Sequence, residues 1–111
     1  SGTVLDQPFQ LVRRKPFTGE VDLGGAASAT IALSCTNAEA EVVAQRADGT
    51  GARVTRATRG GTLDFLLAAS EFTAEGSKKE PANRIKFTVT TDAPKAVACR
   101  LLVTPNKRSG R

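Results

Sequence analysis

Histidine, methionine, tryptophan and tyrosine do not occur in this chain of 111 residues, and its only aromatic side chains are five phenylalanines. Each absence excludes a chemistry. Without histidine there is no Ser-His-Asp triad, no Cys-His pair, no imidazole base and no imidazole metal ligand. The two cysteines are too few for a four-thiolate zinc site. No apolar run approaches the ~20 residues that span a bilayer, so no transmembrane segment is expected, and no apolar stretch at the start reads as a signal peptide. No run of like charge is long enough to mark a dedicated basic arm.

What is present is enough for one small domain with one core. Hydrophobic residues make up 40% of the chain, and sixteen Lys and Arg against eleven Asp and Glu leave a formal charge of +5. The cations fall in local groups: Arg13-Arg14-Lys15, then Arg53, Arg56 and Arg59, then Lys78-Lys79, then Lys107, Arg108 and Arg111. Such a balance favours an acidic partner such as nucleic acid, an anionic lipid or a polyanionic glycan, and it equally serves solubility.

Short segments of two-residue alternation run along the chain between Gly, Pro, Asn and Asp. Val4, Phe9 and Leu11 mark an opening extended region that the basic triplet and Pro16 interrupt, and Val21 and Leu23 precede Gly24-Gly25. The clearest strand follows, with Ala29, Ile31, Leu33 and Cys35 on one parity and Ser28, Thr30, Ala32 and Ser34 on the other. Glu39 to Arg46 has helix-favouring Ala, Glu and Gln, but Asp48-Gly49 ends it too soon, and Val42-Val43 suits a strand entering a turn. Ala52 to Thr58 is a polar strand candidate that ends at Gly60-Gly61, and Leu63, Phe65 and Leu67 alternate beyond it. Residues 70–83 read as the longest loop, with a helical turn around Ser70 to Glu75. Ile85, Phe87 and Val89, then Val97, Cys99, Leu101 and Val103, supply two further strands around an Asp92-Ala93-Pro94 turn.

Roughly six to eight short strands with regular turn signals and no long helix predict an all-β, antiparallel two-sheet sandwich. Residues 1–104 are expected to form it, with 105–111 as a flexible basic C-terminal tail. Cys35 and Cys99 both share parity with core residues, which predicts a disulfide tying the two packed sheets. Closing so long a loop would stabilise the fold by about 4 kcal/mol. The alternative is two reduced thiols packed as small hydrophobes. A bridge places the chain in an oxidising compartment: secreted, periplasmic or at the cell surface.

Gly24-Gly25-Ala-Ala-Ser-Ala-Thr-Ile-Ala-Leu-Ser-Cys35 resembles the turn and B strand of an immunoglobulin-like domain, which would place Cys99 on strand F. No Trp is present to pack on the bridge, and Val97 stands where a tyrosine corner would have Tyr. On that alignment Arg100 to Thr104 finish the same strand and no strand G follows. An incomplete sandwich of this kind is similar to chaperone-usher fimbrial subunits and related adhesins, in which a partner's extended segment fills the gap. Ser34 to Asp48 also resembles the B-to-C region of such subunits. Thr3 to Val12 then serves either as a donor extension or as the domain's own first strand.

No catalytic constellation emerges. Asp64 stands alone in its strand, and Glu39 and Glu41 project from one face of a solvated strand. The glycine pairs are turn residues, and none opens a helix as a phosphate loop must. The phenylalanines fall mostly on buried parity, so nucleic acid is not expected as a partner. The expectation is a non-enzymatic extracytoplasmic protein-interaction domain without a cofactor or metal, a structural or adhesive subunit of a surface assembly that contacts a protein partner, with strand addition as one route. The alternative is a stand-alone secreted binding module, an inhibitor or receptor-docking domain. Its contact residues would be Arg53, Arg56 and Arg59 or the Lys78-Lys79 loop, set against an acidic or glycan surface.

Overall fold

The computed structural model describes residues 5–23, 26, 28–47, 49, 53–68 and 84–106. These form eight strands: β1 (Leu5–Leu11), β2 (Phe17–Asp22), β3 (Ser28–Cys35), β4 (Glu41–Arg46), β5 (Val54–Ala57), β6 (Thr62–Ala68), β7 (Arg84–Thr90) and β8 (Val97–Asn106). They make two antiparallel sheets of four, ordered β1-β8-β3-β6 and β2-β7-β4-β5. The architecture is the sandwich that the alternation predicts.

Period two decides which side chains meet. Ala29, Ile31, Leu33 and Cys35 of β3 and Val97, Cys99, Leu101 and Val103 of β8 face inward from the first sheet. Val42 and Ala44 of β4 and Ile85, Phe87 and Val89 of β7 oppose them from the second. The Val, Leu, Ile and Phe side chains among them contribute about 1.5–3 kcal/mol each when taken fully out of water. The ambiguous Glu39 to Arg46 segment becomes a strand because alternation at Val42 and Ala44 fills the core, and tertiary burial outweighs the helical propensity of its Ala, Glu and Gln.

Four connections gather at one end of the sandwich, and each crosses from one sheet to the other: β1 to β2, β3 to β4, β5 to β6 and β7 to β8. The disulfide lies at this end. Cys35 and Cys99 are bonded, but they sit directly opposite each other on neighbouring strands of the first sheet. The predicted inter-sheet bridge is therefore a cross-strand bridge within one sheet. Both thiols do face the core, as their parity requires, and parity is satisfied equally by two strands of one sheet. Cys35 N–H donates to Gly61 O and Thr36 N–H to Ala98 O, so the two cysteines form a non-hydrogen-bonded pair. Such pairs bring strands closest, here with 4.1 Å between the Cα atoms.

The missing strand is also corrected. The strand that carries Cys99 is the last among the described residues, and it lies inside its sheet with β1 on one side and β3 on the other. The opening segment supplies the domain's own first strand, so the last strand has both neighbours within the chain. β8 also runs two residues further than the sequence places the start of the tail. Pro105 and Asn106 pair with Ala29 and Ser28, and the Asn106 side chain donates to Ser28 Oγ and Thr30 Oγ1 at 3.2 Å each. The helical turn expected at Ser70 to Glu75, and the remainder of the tail from Lys107, lie outside the described residues.

Candidate interaction surfaces

A sandwich has two flanks where the sheets end and their edge strands face each other across the core. On one flank β1 faces β2, and Phe9 stacks on Phe17 with ring centroids 3.9 Å apart and planes 10° from parallel. On the other, β5 faces β6, and the Arg56 guanidinium lies over the Phe65 ring, 5.5 Å from its centroid. Register explains both. Phe9 shares the inward parity of Leu11 and Phe17 that of Val21. Arg56 sits opposite the buried Val42, so its stem runs toward the core side and its charge ends at the rim.

The crossing end is tied together by one carboxylate. Glu39 does not project from a solvated strand as the sequence suggests, because β4 begins only at Glu41. Its side chain is exposed and reaches across to the β5–β6 turn. Glu39 Oε1 accepts from Thr58 Oγ1 at 2.6 Å and from Gly61 N–H at 3.0 Å, and its Oε2 accepts from Gly60 N–H at 3.0 Å. Thr58 Oγ1 in turn accepts from Ala40 N–H at 2.9 Å. Thr91 Oγ1 donates to Glu39 O at 2.8 Å, which brings in the β7–β8 connection. The Thr58 hydroxyl, with the Gly61 and Gly60 amides, holds the Glu39 carboxyl below its ordinary value, against a partial desolvation that pushes the other way.

Gly60 and Gly61 have φ of 67° and 84°. Two consecutive positive-φ residues suit a tight primed turn, and the adjacent N–H groups both end on the Glu39 carboxylate. Glycine is required at the second position for a further reason: a Cβ on Gly61 would lie 2.5 Å from Cys35 O. The paired glycines, with two amides in need of an acceptor, were the sequence signal for a carboxylate partner. Glu39 lies more than twenty residues away, so only the fold identifies it.

The predicted cations do not come together. Arg53, Arg56 and Arg59 are all exposed. Arg56 is turned over Phe65 and donates to Thr55 O at 3.0 Å. Arg59 sits in the tight turn, bridged to Thr62, and six residues of extended chain put it up to about 20 Å from Arg53. Lys78 and Lys79 lie outside the described residues. A denser basic point is the β1–β2 turn, where Lys15 N–H donates to Val12 O at 2.9 Å and Arg13, Arg14 and Lys15 are presented in sequence. Val12 beside them is 42% exposed.

The two outer faces differ. That of the second sheet carries Glu20, Asp22, Arg84 and Lys86, with Arg84 3.7 Å from Glu20 and 4.0 Å from Asp22. That of the first sheet is mostly Ser, Thr, Ala and Leu. Its cation, Arg100, grips Asp6 through two hydrogen bonds of 2.6 and 2.7 Å. This fork clamps β1 to β8, lowers the Asp6 carboxyl below its ordinary value and raises Arg100. Asp64 and the 60% exposed Leu66 stand on the same face, on β6.

These features define an all-β sandwich with a single cross-strand disulfide and, among the described residues, edge strands β1, β6, β2 and β5 that each pair on one side. No known protein family matches the chain, and neither the curated proteins nor the solved structures contain a significant match to it. Among the described residues no group of three or more acidic or thiol side chains is placed to hold a metal ion, and no helix is long and apolar enough to cross a membrane.

Proposed function

We propose that the chain is a non-enzymatic extracytoplasmic protein-interaction domain that works as a structural or adhesive subunit of a surface assembly. The observation that carries this reading is the Cys35–Cys99 bond between the two central strands of the first sheet. A disulfide at that place belongs to an oxidising compartment. In a domain of this size it replaces stability that a larger core would otherwise provide. Because β1 completes the first sheet from within, assembly proceeds by contact with a finished sandwich and not by filling a gap in it.

Fractionation of the source cells tests this. The expected result is an extracytoplasmic protein with no alkylatable thiol before reduction, recovered by brief chemical cross-linking in species larger than the monomer. A cytoplasmic protein with two free thiols would overturn the compartment. A strictly monomeric exported species would overturn the assembly. The exposed Arg13, Arg14 and Lys15 turn supports the second reading, a stand-alone secreted module that docks on an acidic partner. A strictly monomeric exported species whose contact with an acidic surface is abolished by charge reversal of those three residues selects that alternative.

A further inference from the structure

The four edge strands are not equally able to accept another strand. In β3, Cys35 turns its amide to β6 and Thr36 turns its amide to β8, and main-chain groups alternate sides along an antiparallel strand. Cys99 therefore faces β1 with its N–H and C=O, and Phe9, opposite it, faces back. Pro8 points its nitrogen at the solvent edge, where its missing N–H removes a donor from the middle of the row.

The same alternation turns Leu63, Phe65 and Leu67 toward β3 and leaves the N–H and C=O groups of Asp64 and Leu66 pointing away from the sheet. No proline interrupts β6. Thr62 is occupied by its turn with Arg59, so Asp64 and Leu66 form the open stretch among the described residues. On the second sheet, Arg56 guards the β5 edge with an inward-placed charge, a recurrent defence of edge strands.

We propose that the edge of β6 at Asp64 and Leu66 takes an extended segment of a protein partner in antiparallel register, with an apolar residue opposite Leu66 and a basic residue two positions later, opposite Asp64. This rests on the protein-interaction reading and gives it a site. Pairing at the two positions supplies four main-chain hydrogen bonds, and the side chains opposite supply selectivity. The charge of the occupant follows from the face: Arg100 is committed to Asp6, and no cation pairs with Asp64 among the described residues. The chain's overall charge of +5 does not oppose a single basic residue at this place, because contacts beyond a Debye length of about 8 Å are screened. A second copy of the chain fits less well. Twofold pairing of β6 with itself would bring two Arg56 guanidinia together at the rim.

The test uses the intact, disulfide-bonded chain, labelled for amide resonance measurements. One probe is a blocked seven-residue threonine peptide with valine third and lysine fifth, and the other has glutamate in place of the lysine. The amides of Asp64 and Leu66 are expected to shift most, with the lysine peptide bound roughly fivefold tighter than the glutamate peptide. Asp64→Lys should invert that preference. Leu66→Pro should abolish binding while the fold persists, since that N–H serves no ladder bond. Should Leu66→Pro fail to fold, Asp64→Lys still decides. No binding at millimolar peptide, equal affinity for the two peptides, binding that survives Leu66→Pro, or concentration-dependent self-association through the same amides overturns the edge assignment. None of these outcomes bears on the compartment or on cross-linking from source cells, so the two proposals fail separately.

Discussion

The flank where β1 faces β2 and the flank where β5 faces β6 solve one geometric problem with different chemistry. Each must cover the rim of a core that two twisted sheets leave open. The first uses two stacked rings, Phe9 and Phe17, and locks β1 further through the Asp6–Arg100 fork. The second uses one ring and a cation, Phe65 and Arg56, and relies on the Glu39 cluster to hold its turn. An apolar stack shuts a rim by excluding water. A guanidinium over a ring keeps its charge hydrated and leaves the neighbouring main chain accessible. The difference shows that what seals the core and what blocks an edge are separate devices: in the first sheet β1 carries both, through Phe9 and Pro8, whereas no proline interrupts β6.

The largest effect bears on whether the flanks belong to one cooperative body. Replacing both cysteines by alanine should lower the unfolding free energy by about 4 kcal/mol in urea titration, with one transition by every probe. Separate transitions for the two flanks would break the comparison. Gly61→Ala strikes the second flank alone. Its left-handed φ and the contact with Cys35 O should together cost about 3 kcal/mol, measured the same way. Phe17→Ala on the first flank should cost about 2 kcal/mol through lost packing and the lost stack. Arg56→Ala should cost only about 0.5–1 kcal/mol and, by unguarding an edge, raise association measured by light scattering. If Arg56→Ala proves the costlier of the last two, the ranking of the flanks is wrong.

Titration gives the finest comparison. Asp6 and Glu39 both have folded-state values below their ordinary ones. Each therefore contributes stability that is complete above the unfolded-state carboxylate values of about 4 and is lost as the pH falls through the lower folded-state value. Melting temperature should fall between neutral and acid pH. Asp6→Asn should flatten the acid limb through the first flank, and Glu39→Gln through the second. Unchanged limbs in both variants would remove these carboxylates from the account.

Period two in the sequence makes the inward faces legible and leaves each strand's neighbours undetermined. Inward faces at Ile31, Leu33, Phe87, Leu101 and Val103 follow from alternation, because the pleat assigns each residue a side. Neighbours do not follow from it. Nothing local distinguishes a Cys99 strand across the core from one beside β3, so the bridge was legible as a pair but not as a place within one sheet. The resemblance that put Cys99 on strand F carried the same gap into the missing strand. The open edge at Asp64 and Leu66 was legible only as alternation with Leu63, Phe65 and Leu67, since main-chain direction depends on which strand lies alongside. Glu39 was out of reach for a related reason: its partners come from turns that meet only when four crossings gather at one end.

The position of β8 between β1 and β3 has a consequence in time. Leu5 pairs with Val103 and Cys35 with Cys99, so the first and third strands of the chain are joined only through the last. As the chain is synthesised, its first sheet cannot close, nor its disulfide form, until residues close to 100 have emerged. Until then β1 has no ladder partner and β3 lacks one of its two neighbours. The order in which this domain can become finished is thus set by its C-terminal strand, and whatever keeps the earlier strands from pairing elsewhere must act until that strand arrives.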